Sequence, residues 1–394
     1  MSRPHPLELL EHRLARRREQ GLGRRLVCVG QATGPRVRVD GRDCLLMASN
    51  DYLGLAGHPR LVEAALEATL TCGTGAGASR LVSGTLETHL ALERQIADFK
   101  ESEAALFFST GYMANLGVIG ALAGPGDLIV SDALNHASLI DACRLSRATV
   151  RVYPHGDVPA AARLLQEAPA EGLALIVSDG VFSMDGDLAP LPGLLALARE
   201  AGALLVIDDA HATGVWGARG RGSLEHFAIK PTPEVAMVGT FSKALGGLGG
   251  FVAGSRTLVD CLVNQARSFL YTTAPPPAQA AVAAAALSLV DEEPWRRDKL
   301  SQLGQRLRAQ LSGLGLTLLS QEGAIVPLLV GGAEKSLAMG RALLAGGVLA
   351  PAIRPPTVPP GTSRIRLTVT AAHEMADMDQ AAQAIAAAAR EVGL

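Results

Sequence analysis

Six short apolar runs, separated by stretches with helical spacing, constrain the fold of this 394-residue sequence more than any other feature. The runs are EAALFFS (103–109), DLIVSD (127–132), TVRVYP (149–154), LALIVSDG (173–180), ALLVIDDA (203–210) and EVAMVGT (234–240). Each has the length of one strand, and continuous apolar strands that alternate with helices are typical of a parallel sheet covered on both faces. The sequence therefore predicts an α/β fold with a mostly parallel sheet and helices on both faces.

The pattern changes after the Ala- and Pro-rich segment 272–290. Leucine-spaced helices follow, with shorter apolar runs at 324–330 and 363–370 that predict strands. We therefore expect an N-terminal arm or lobe (1–55), a large domain (56–285) and a smaller α+β C-terminal domain (286–394). A chain of this length can bury the cores of more than one domain.

Net charge, cysteine content and the length of the apolar runs argue against several classes of function. The net charge of −2 argues against binding to nucleic acid or to an acidic membrane surface. Five scattered cysteines without C-x-x-C spacing argue against a disulfide framework and a structural zinc site, so no metal is expected. The longest apolar run, 278–290, is too short to span a bilayer. We expect a cytoplasmic protein.

Leu7, Leu10 and Leu14 have helical spacing near the N-terminus, and Arg16, Arg17 and Arg18 follow them. This pattern favours an amphipathic docking helix over a targeting peptide. The arginines could meet the acidic surface of a carrier protein, but a solvated helix face is the default interpretation.

Polar residues at three strand ends carry the candidate chemistry, because ligands bind at the carboxyl ends of parallel strands. Asp208, Asp209 and His211 follow one run, Thr240, Ser242 and Lys243 follow another, and His136 lies beyond a third. Asp209 has an alternative interpretation as the cap of a turn. A single Ser-x-Lys or Asp-x-x-His is common by chance, whereas the ordered combination is specific.

The combination suits pyridoxal phosphate (PLP), which has an aldehyde, a pyridine nitrogen, a phenolic oxygen and a phosphate. A lysine amine can form an imine with the aldehyde, and a carboxylate can keep the ring nitrogen protonated. An imidazole can stack on the ring or donate to the phenolic oxygen. We assign these roles to Lys243, to Asp208, and to His136 with His211. Hydroxyl and helix-terminal amide groups can hold the phosphate, for which Thr240, Ser242, Gly111 and Tyr112 are candidates.

The glycine-rich stretch 71–85 offers a competing nucleotide-binding interpretation. No apolar strand precedes it and no G-x-G-x-x-G opens a helix, so it fails the context that a dinucleotide fingerprint requires. We predict a flexible loop over the active site instead.

Motifs along nearly the whole chain resemble the α-oxoamine synthases, a family of fold-type I PLP enzymes. The motifs are SNDYLGLAGHP (49–59), GASRLVSGT (77–85), NHASLID (135–141), DGVFSMDGD (179–187), IDDAHATG (207–214), GTFSKALGG (239–247) and RPPTVPPGTSRIRLTVTAAHE (354–374). The segment AIRPPTVP (352–359) is similar to family members that condense L-alanine with a pimeloyl thioester in biotin biosynthesis. The segment DALNHAS (132–138) instead reads like relatives that form 2-amino-3-oxobutyrate from glycine and acetyl-CoA.

The resemblance implies a role for each matched residue. Lys243 would attach the cofactor and move the α-proton, Asp208 would pair with the pyridinium nitrogen, and His136 would stack on the ring. His211 and Ser183 would lie near the phenolic oxygen, and Gly111, Tyr112 and Thr240 would hold the phosphate and the ring edge. Substrate contacts are implied for Arg24, Asn50, Ser79, His136, Thr357 and Arg366, of which Arg366 would clamp the amino-acid carboxylate.

The resemblance also implies a homodimer with shared active sites, in which Thr272 and Thr273 would reach the partner's phosphate. Ser79 stands where aminolevulinate-forming relatives commonly carry threonine, which would leave room for the methyl group of alanine. The acyl donor could be carried on coenzyme A or on an acyl carrier protein. The alternatives are the glycine-dependent sister activity and a non-catalytic protein of the same fold.

Overall fold

The computed structural model describes residues 5–24, 26–30 and 34–394. The strands of this part of the chain are β1 (Val29–Gly30), β2 (Arg36–Val39), β3 (Arg42–Leu46), β4 (Ala104–Phe108), β5 (Leu128–Asp132), β6 (Thr149–Tyr153), β7 (Ala174–Asp179), β8 (Leu204–Asp208), β9 (Val235–Thr240), β10 (Gly250–Gly254), β11 (Ile325–Gly331), β12 (Val348–Leu349), β13 (Ala352–Ile353) and β14 (Ser363–Thr368).

The α-helices alternate with these strands in the middle of the chain. They are α1 (Pro6–Glu19), α2 (Pro59–Cys72), α3 (Glu87–Lys100), α4 (Gly111–Leu122), α5 (Ala137–Ser146), α6 (Val158–Leu165), α7 (Leu191–Ala201), α8 (Ser223–His226), α9 (Arg256–Gln265), α10 (Arg267–Leu270), α11 (Pro277–Glu292), α12 (Trp295–Gly313), α13 (Ala333–Ala345) and α14 (Met375–Glu391).

The central sheet has the strand order β4-β10-β9-β8-β7-β5-β6 and contains all six predicted strands. Strands β9, β8, β7, β5 and β6 pair in parallel, while β10 is antiparallel to both of its neighbours. The predicted mostly parallel sheet is therefore confirmed. Strand β10 was not predicted, because its sequence GFVAG is short and has glycine at both ends.

Side chains of the central strands alternate between two apolar cores, one on each face of the sheet. Phe107 and Ile176 pack in one core, while Leu106 and Val177 pack in the other. Because both faces are covered, neither face needs polar residues, and β4, β5, β7 and β9 are buried along their whole length.

Two smaller sheets flank the central one. In the first, β1, β2 and β3 pair in antiparallel fashion, and β12 from the C-terminal part adds in parallel to β3. The second has the order β11-β14-β13 and packs with α13. The predicted boundary at residue 285 lies within α11, and the division into three domains stays a prediction.

The N-terminal helix is confirmed as α1, but none of its side chains is buried. The docking of this helix therefore stays a prediction. Among the described residues, no helix is both long and apolar enough to cross a membrane.

The second half of the glycine-rich stretch is helical. Residues Arg80–Gly84 form a π-helical turn, and buried Arg80 donates to both carboxylate oxygens of Glu93 at 2.9 and 3.1 Å. The prediction of a flexible loop is wrong for this turn, because the ion pair anchors it against α3.

Candidate active site

The candidate active site lies where the central parallel strands end. Asp179 is the last residue of β7, Asp208 is the last of β8 and Thr240 is the last of β9. Asp179 and Asp208 stand opposite each other in the β7–β8 register, and Lys243 follows shortly after β9. The sheet thus gathers the strand-end residues at the edge where ligands bind in such folds.

Two hydrogen bonds fix the buried carboxylate of Asp208. Asn115 Nδ2 donates to Oδ2 at 2.6 Å, and the backbone N–H of Ala210 donates to Oδ1 at 2.9 Å. Asn115 Nδ2 also donates to Ser138 Oγ at 2.8 Å, and this hydroxyl lies 2.7 Å from Nδ1 of His136. A chain of hydrogen bonds therefore fixes Asp208 and His136 relative to each other.

His136 caps the start of α5, and its backbone N–H donates to Asp179 Oδ2 at 2.7 Å. Burial lowers the pKa of the His136 imidazole, although the Asp208 carboxylate opposes this change. Burial, reinforced by the Asp208 carboxylate, raises the pKa of Asp179 well above its ordinary value. A neutral imidazole ring is thereby favoured, which suits stacking on an aromatic cofactor.

Lys243 is half-buried near two carboxylates and one guanidinium. Burial lowers the pKa of its ammonium group, and the Arg366 cation acts in the same direction, while the Asp208 and Asp179 carboxylates oppose both. A lowered pKa increases the fraction of neutral amine, which is the form that attacks an aldehyde or accepts a proton. This direction of the pKa change is the one that the predicted role of Lys243 requires.

Arg366 on β14 extends from the C-terminal sheet into the site. Its Nε donates to the backbone oxygen of Ser183 at 2.5 Å, and both terminal nitrogens lie 3.3 Å from Asn50 Oδ1. Arg364, which points to the same side of β14, donates to Asp185 Oδ1 at 2.5 Å. These contacts hold a guanidinium in place, and a guanidinium can bind a carboxylate through two hydrogen bonds.

His211 is buried, and its Nδ1 lies 2.7 Å from the hydroxyl of Tyr52. Burial lowers the pKa of His211 well below its ordinary value, and the Lys243 and Arg366 cations add to this effect. The imidazole is therefore neutral near pH 7, with one nitrogen as a donor and the other as an acceptor.

The start of α4 supplies hydrogen-bond donors for an anion. Thr110 is its N-cap, and its hydroxyl oxygen accepts the backbone N–H of Met113 at 3.1 Å. The first backbone amides of the helix, those of Gly111 and Tyr112, can face a ligand. The side chain of Thr240 lies beside Gly111, and the exposed Ser242 hydroxyl is 2.9 Å from Thr240 Oγ1.

This set of groups fits pyridoxal phosphate. Lys243 offers an amine for the aldehyde, Asp208 offers a carboxylate for the ring nitrogen, and the start of α4 offers donors for the phosphate. Gly250, the first residue of β10, lies against the first residue of α4. A Cβ at position 250 would lie 2.5 Å from the backbone nitrogen of Gly111. Glycine is therefore required at position 250 for the cradle to form.

The side chains of the other predicted residues make no hydrogen bond to this cluster in the part of the chain that the structure describes. Within the described residues, no hydrogen bond links the cluster around Lys243 to the side chains of Arg24, Ser79 or Thr357. Arg24 and Thr357 are exposed, and Ser79 is half-buried. The Tyr112 hydroxyl donates to Asp141 Oδ2 at 2.5 Å. Ser183 contributes its backbone oxygen, as described, and Thr272 is half-buried beside exposed Thr273. Their predicted roles stay predictions.

Sequence reasoning missed several residues that build the site. Asp179 ends an apolar run, so the strand-end argument could have identified it. Asn115 lies inside a helix and Tyr52 inside a loop, where no periodicity distinguishes them.

His155 joins two loops of the site through a pair of carboxylates. Its Nδ1 lies 3.0 Å from Asp132 Oδ1, and its Nε2 lies 2.8 Å from Asp187 Oδ2. Asp132 begins the loop that carries His136, and Asp187 ends the turn that carries Ser183. Hydrogen bonds to Asp132 and then to Asp187 raise the pKa of His155 to about 10.

We expect His155→Gln to destabilise the protein by about 2 kcal/mol at pH 7, between the values typical of exposed and of buried ion pairs. The folded-state pKa lies above the ordinary value of 6.5, so the contribution is complete below that pH and is lost as the pH rises through 10. Urea unfolding at pH 7 and pH 10.5, with exposed His12→Gln as the control, measures it. A difference that does not shrink at the higher pH would contradict this assignment.

Comparison with known proteins places these observations in a family context. Residues 42–385 match the family described as aminotransferase class I and II. The chain is 52% identical over 379 residues to an 8-amino-7-oxononanoate synthase of Geobacter sulfurreducens, covering 96% of this chain and 97% of the relative. A serine palmitoyltransferase from S. paucimobilis, solved with a bound PLP-myriocin aldimine, is 31% identical with a TM-score of 0.93, covering 99% of this chain and 100% of the other. An 8-amino-7-oxononanoate synthase from Francisella tularensis is 26% identical with a TM-score of 0.77, covering 89% and 99%.

Proposed function

The chain belongs to the class I and II aminotransferase family, and within it to the 8-amino-7-oxononanoate synthases, and on this premise we propose that it condenses L-alanine with a pimeloyl thioester. The reaction joins the α-carbon of alanine to the thioester carbonyl carbon. It releases carbon dioxide from the alanine carboxyl group and the thiol of the acyl carrier, and it yields 8-amino-7-oxononanoate for biotin synthesis.

One observation carries the proposal: the edge of the central sheet gathers Lys243, Asp208, His136 and His211 next to the Arg366 guanidinium. An amine, a carboxylate and two neutral imidazoles meet the needs of PLP chemistry, and a guanidinium meets the needs of an amino-acid carboxylate. Each of these residue types was expected at its position from the sequence.

When bound, pyridoxal phosphate supplies an electron sink for the negative charge that develops at the α-carbon of the amino acid. Asp208 would hold a proton on the pyridine nitrogen, and Asn115 and Ala210 keep its carboxylate in place. His136 would cover one face of the ring. The hydrogen bond from its backbone N–H to Asp179 Oδ2 orients this residue.

Substrate handling falls to Arg366, Asn50 and Lys243. Arg366, steadied by Asn50 Oδ1 and by the backbone oxygen of Ser183, would bind the alanine carboxylate. Lys243 Nζ would take the α-proton and later return a proton to the product. A general base of this kind contributes about 10²–10⁴-fold in rate. Arg24 and Thr357 would contact the substrate, and both residues are exposed.

The substrate proposal is tested by turnover of purified protein loaded with PLP. L-alanine and glycine are each combined with pimeloyl-CoA, pimeloyl-acyl carrier protein and acetyl-CoA, and the amino ketone product is identified by mass spectrometry. We expect product from alanine with a pimeloyl donor, and the two pimeloyl donors identify the carrier. Turnover of glycine with acetyl-CoA alone would establish the sister activity, and no turnover with any pair would contradict the proposed catalysis.

Ser79→Thr is expected to lower kcat/KM for alanine about tenfold or more while changing that for glycine little. Ser79 is half-buried at the start of the π-helical turn, and we propose that its small side chain leaves space for the methyl group of alanine. One methyl-sized difference in a pocket changes kcat/KM by about 10- to 200-fold. Steady-state rates of the wild-type protein and of Ser79→Thr with both amino acids measure the effect. Equal losses for glycine and alanine would exclude Ser79 from this selection.

We also propose that a second copy of the chain completes the site. Large apolar side chains are exposed along α2 and the adjoining π-helical turn: Leu66 is 60% exposed, Leu70 86% and Val82 80%. Tyr271 is 73% exposed and precedes Thr272, for which a contact with the partner's phosphate is predicted. Exposed apolar groups of this extent are typical of interfaces.

We expect wild-type protein to be a dimer by light scattering, and Leu70→Asp with Val82→Asp to shift it towards monomer. The paired substitution places two charges in the proposed interface, and activity should fall with dimer content because the sites are shared. Leu173→Asp is the matched control, since this half-exposed leucine precedes the amino end of β7, away from the site. A monomeric wild-type protein with full activity would overturn the shared-site proposal.

We place the reaction in the cytoplasm. All five cysteines are free, which suits a reducing compartment.

A further inference from the structure

Tyr52 is a buried residue of the site. Neither the sequence motifs nor the proposed reaction assigns it a role. It is 1% exposed, and its backbone oxygen accepts the N–H of Ala371 at 2.8 Å. The neighbouring Asp51 carbonyl accepts Thr370 Oγ1 at 2.6 Å. The loop that carries Tyr52 is therefore fixed to the segment that follows β14.

The hydroxyl of Tyr52 lies between three groups of the site. It is 2.7 Å from His211 Nδ1 and 3.1 Å from Asn50 Oδ1, and Arg366 Nη2 donates to it at 3.3 Å. Tyr52 is thus in contact both with the predicted carboxylate clamp and with the imidazole that is predicted to lie near the phenolic oxygen of the cofactor.

A count of donors and acceptors favours one of two acceptors for the single phenolic proton, which can go to Asn50 Oδ1 at 3.1 Å or to His211 Nδ1 at 2.7 Å. Asn50 Oδ1 already accepts from both terminal nitrogens of Arg366, so its two lone pairs are occupied. The Tyr52 oxygen itself accepts from Arg366. His211 Nδ1, at the shorter distance of 2.7 Å, is then the atom that accepts the hydrogen bond from the Tyr52 hydroxyl.

We infer that Tyr52 is a positioning residue, which donates to Nδ1 of His211, holds this ring as the tautomer protonated on Nε2, and links it to the Arg366 clamp. The inference deepens the proposed function, on which its catalytic consequence rests. With Nδ1 occupied as an acceptor, Nε2–H is the donor that remains for the cofactor's phenolic oxygen. Among the described residues, none hydrogen-bonds to Nε2, so this donor is available.

The charges around the pair agree with this assignment. Burial raises the pKa of Tyr52, so the phenol keeps its proton at neutral pH. Burial and the nearby cations lower the pKa of His211 well below its ordinary value, so its ring has a single proton to place. The opposite arrangement would put that proton on Nδ1, turn the Tyr52 hydroxyl towards Asn50 and leave Nε2 as an acceptor.

The tautomer is measured directly in cofactor-free protein that carries ¹⁵N-labelled histidine. Long-range ¹H–¹⁵N spectra distinguish a protonated ring nitrogen from an unprotonated one, and loss of signals in His211→Gln assigns them. We expect His211 to be protonated on Nε2 in the wild-type protein. Protonation on Nδ1 would overturn the inference, and this result needs neither substrate nor turnover, so it is independent of the proposed function.

Tyr52→Phe removes only the hydroxyl and is expected to shift the His211 signals towards a mixture of both tautomers. In PLP-loaded protein, kcat with alanine should fall about three- to tenfold, the value of one hydrogen bond, while KM for alanine changes less. Tyr153→Phe is the control, because Tyr153 is equally buried and, within the described part of the chain, its hydroxyl hydrogen-bonds to neither His211 nor Arg366. Unchanged His211 signals in Tyr52→Phe would show that Tyr52 only packs, and so would an unchanged kcat.

Discussion

Lys243→Ala is expected to eliminate covalent attachment of pyridoxal phosphate and to lower kcat at least about 10⁴-fold. One side chain supplies both the amine for the aldehyde and the base for the α-proton, so its loss removes two steps together. Lys100 cannot replace it, because its ammonium group is buried in an ion pair with Asp209 at 3.2 Å.

The visible absorption spectrum and the rate of product formation measure the two losses separately. Lys230→Ala is the control, since Lys230 is an exposed lysine outside the site. Wild type and Lys230→Ala should keep an absorption band that withstands gel filtration, and Lys243→Ala should lose it. Near-normal turnover of Lys243→Ala would remove Lys243 from the mechanism.

Asp208→Asn is expected to lower kcat by at least about 100-fold and to weaken cofactor retention. The carboxylate would no longer stabilise a protonated pyridine nitrogen, and the ring would accept less charge from the substrate. The substitution keeps the size of the side chain, and its amide oxygen can still accept the N–H of Ala210. The amide nitrogen at the Oδ2 position cannot accept from Asn115, so the loss would report the charge together with this hydrogen bond rather than the packing.

Asp179→Asn is the matched variant for this test. Asp179 stands opposite Asp208 in the sheet, is equally buried, and binds the backbone N–H of His136. An asparagine oxygen can accept the same hydrogen bond, and the raised pKa of Asp179 indicates that its negative charge is disfavoured already. We expect Asp179→Asn to lose about tenfold or less in kcat. Equal losses in both variants, with equal thermal stabilities, would contradict a specific role for the Asp208 charge.

The central sheet could be predicted from the sequence because buried parallel strands leave a direct pattern. The runs at 127–132, 173–180 and 203–210 each contain three to five consecutive apolar residues, and both faces of β5, β7 and β8 lie in apolar cores. Strand β10 could not be predicted, because only three apolar residues lie between its two glycines, although Phe251, Val252 and Ala253 are buried in the two cores. The turn at residues 80–84 was missed because an ion pair between Arg80 and Glu93, distant in sequence, holds it.

The chemistry of the site could be predicted to the extent that it lies at strand ends. Asp208 and Lys243 each follow an apolar run, so topology brings them together. Tyr52, Asn115 and Arg366 come from a loop, a helix and a distant sheet. Only the folded chain shows that Asn115 contacts Asp208 and that Tyr52 contacts Arg366 and His211. The relatives belong to the family that the sequence motifs resemble, and that resemblance predicted the role of Arg366. The roles of the individual residues stay predictions, which the variants test.

The covalent position of the cofactor tests the central claim most directly. Protein incubated with pyridoxal phosphate is reduced with borohydride, digested with trypsin and analysed by mass spectrometry. We expect the reduced pyridoxyl group on Lys243, with tryptic cleavage blocked after this residue. The adduct should be absent when the protein is first saturated with L-alanine, because the amine of alanine would compete with that of Lys243 for the aldehyde of the cofactor. An adduct on a different lysine, or none at all, would contradict the account.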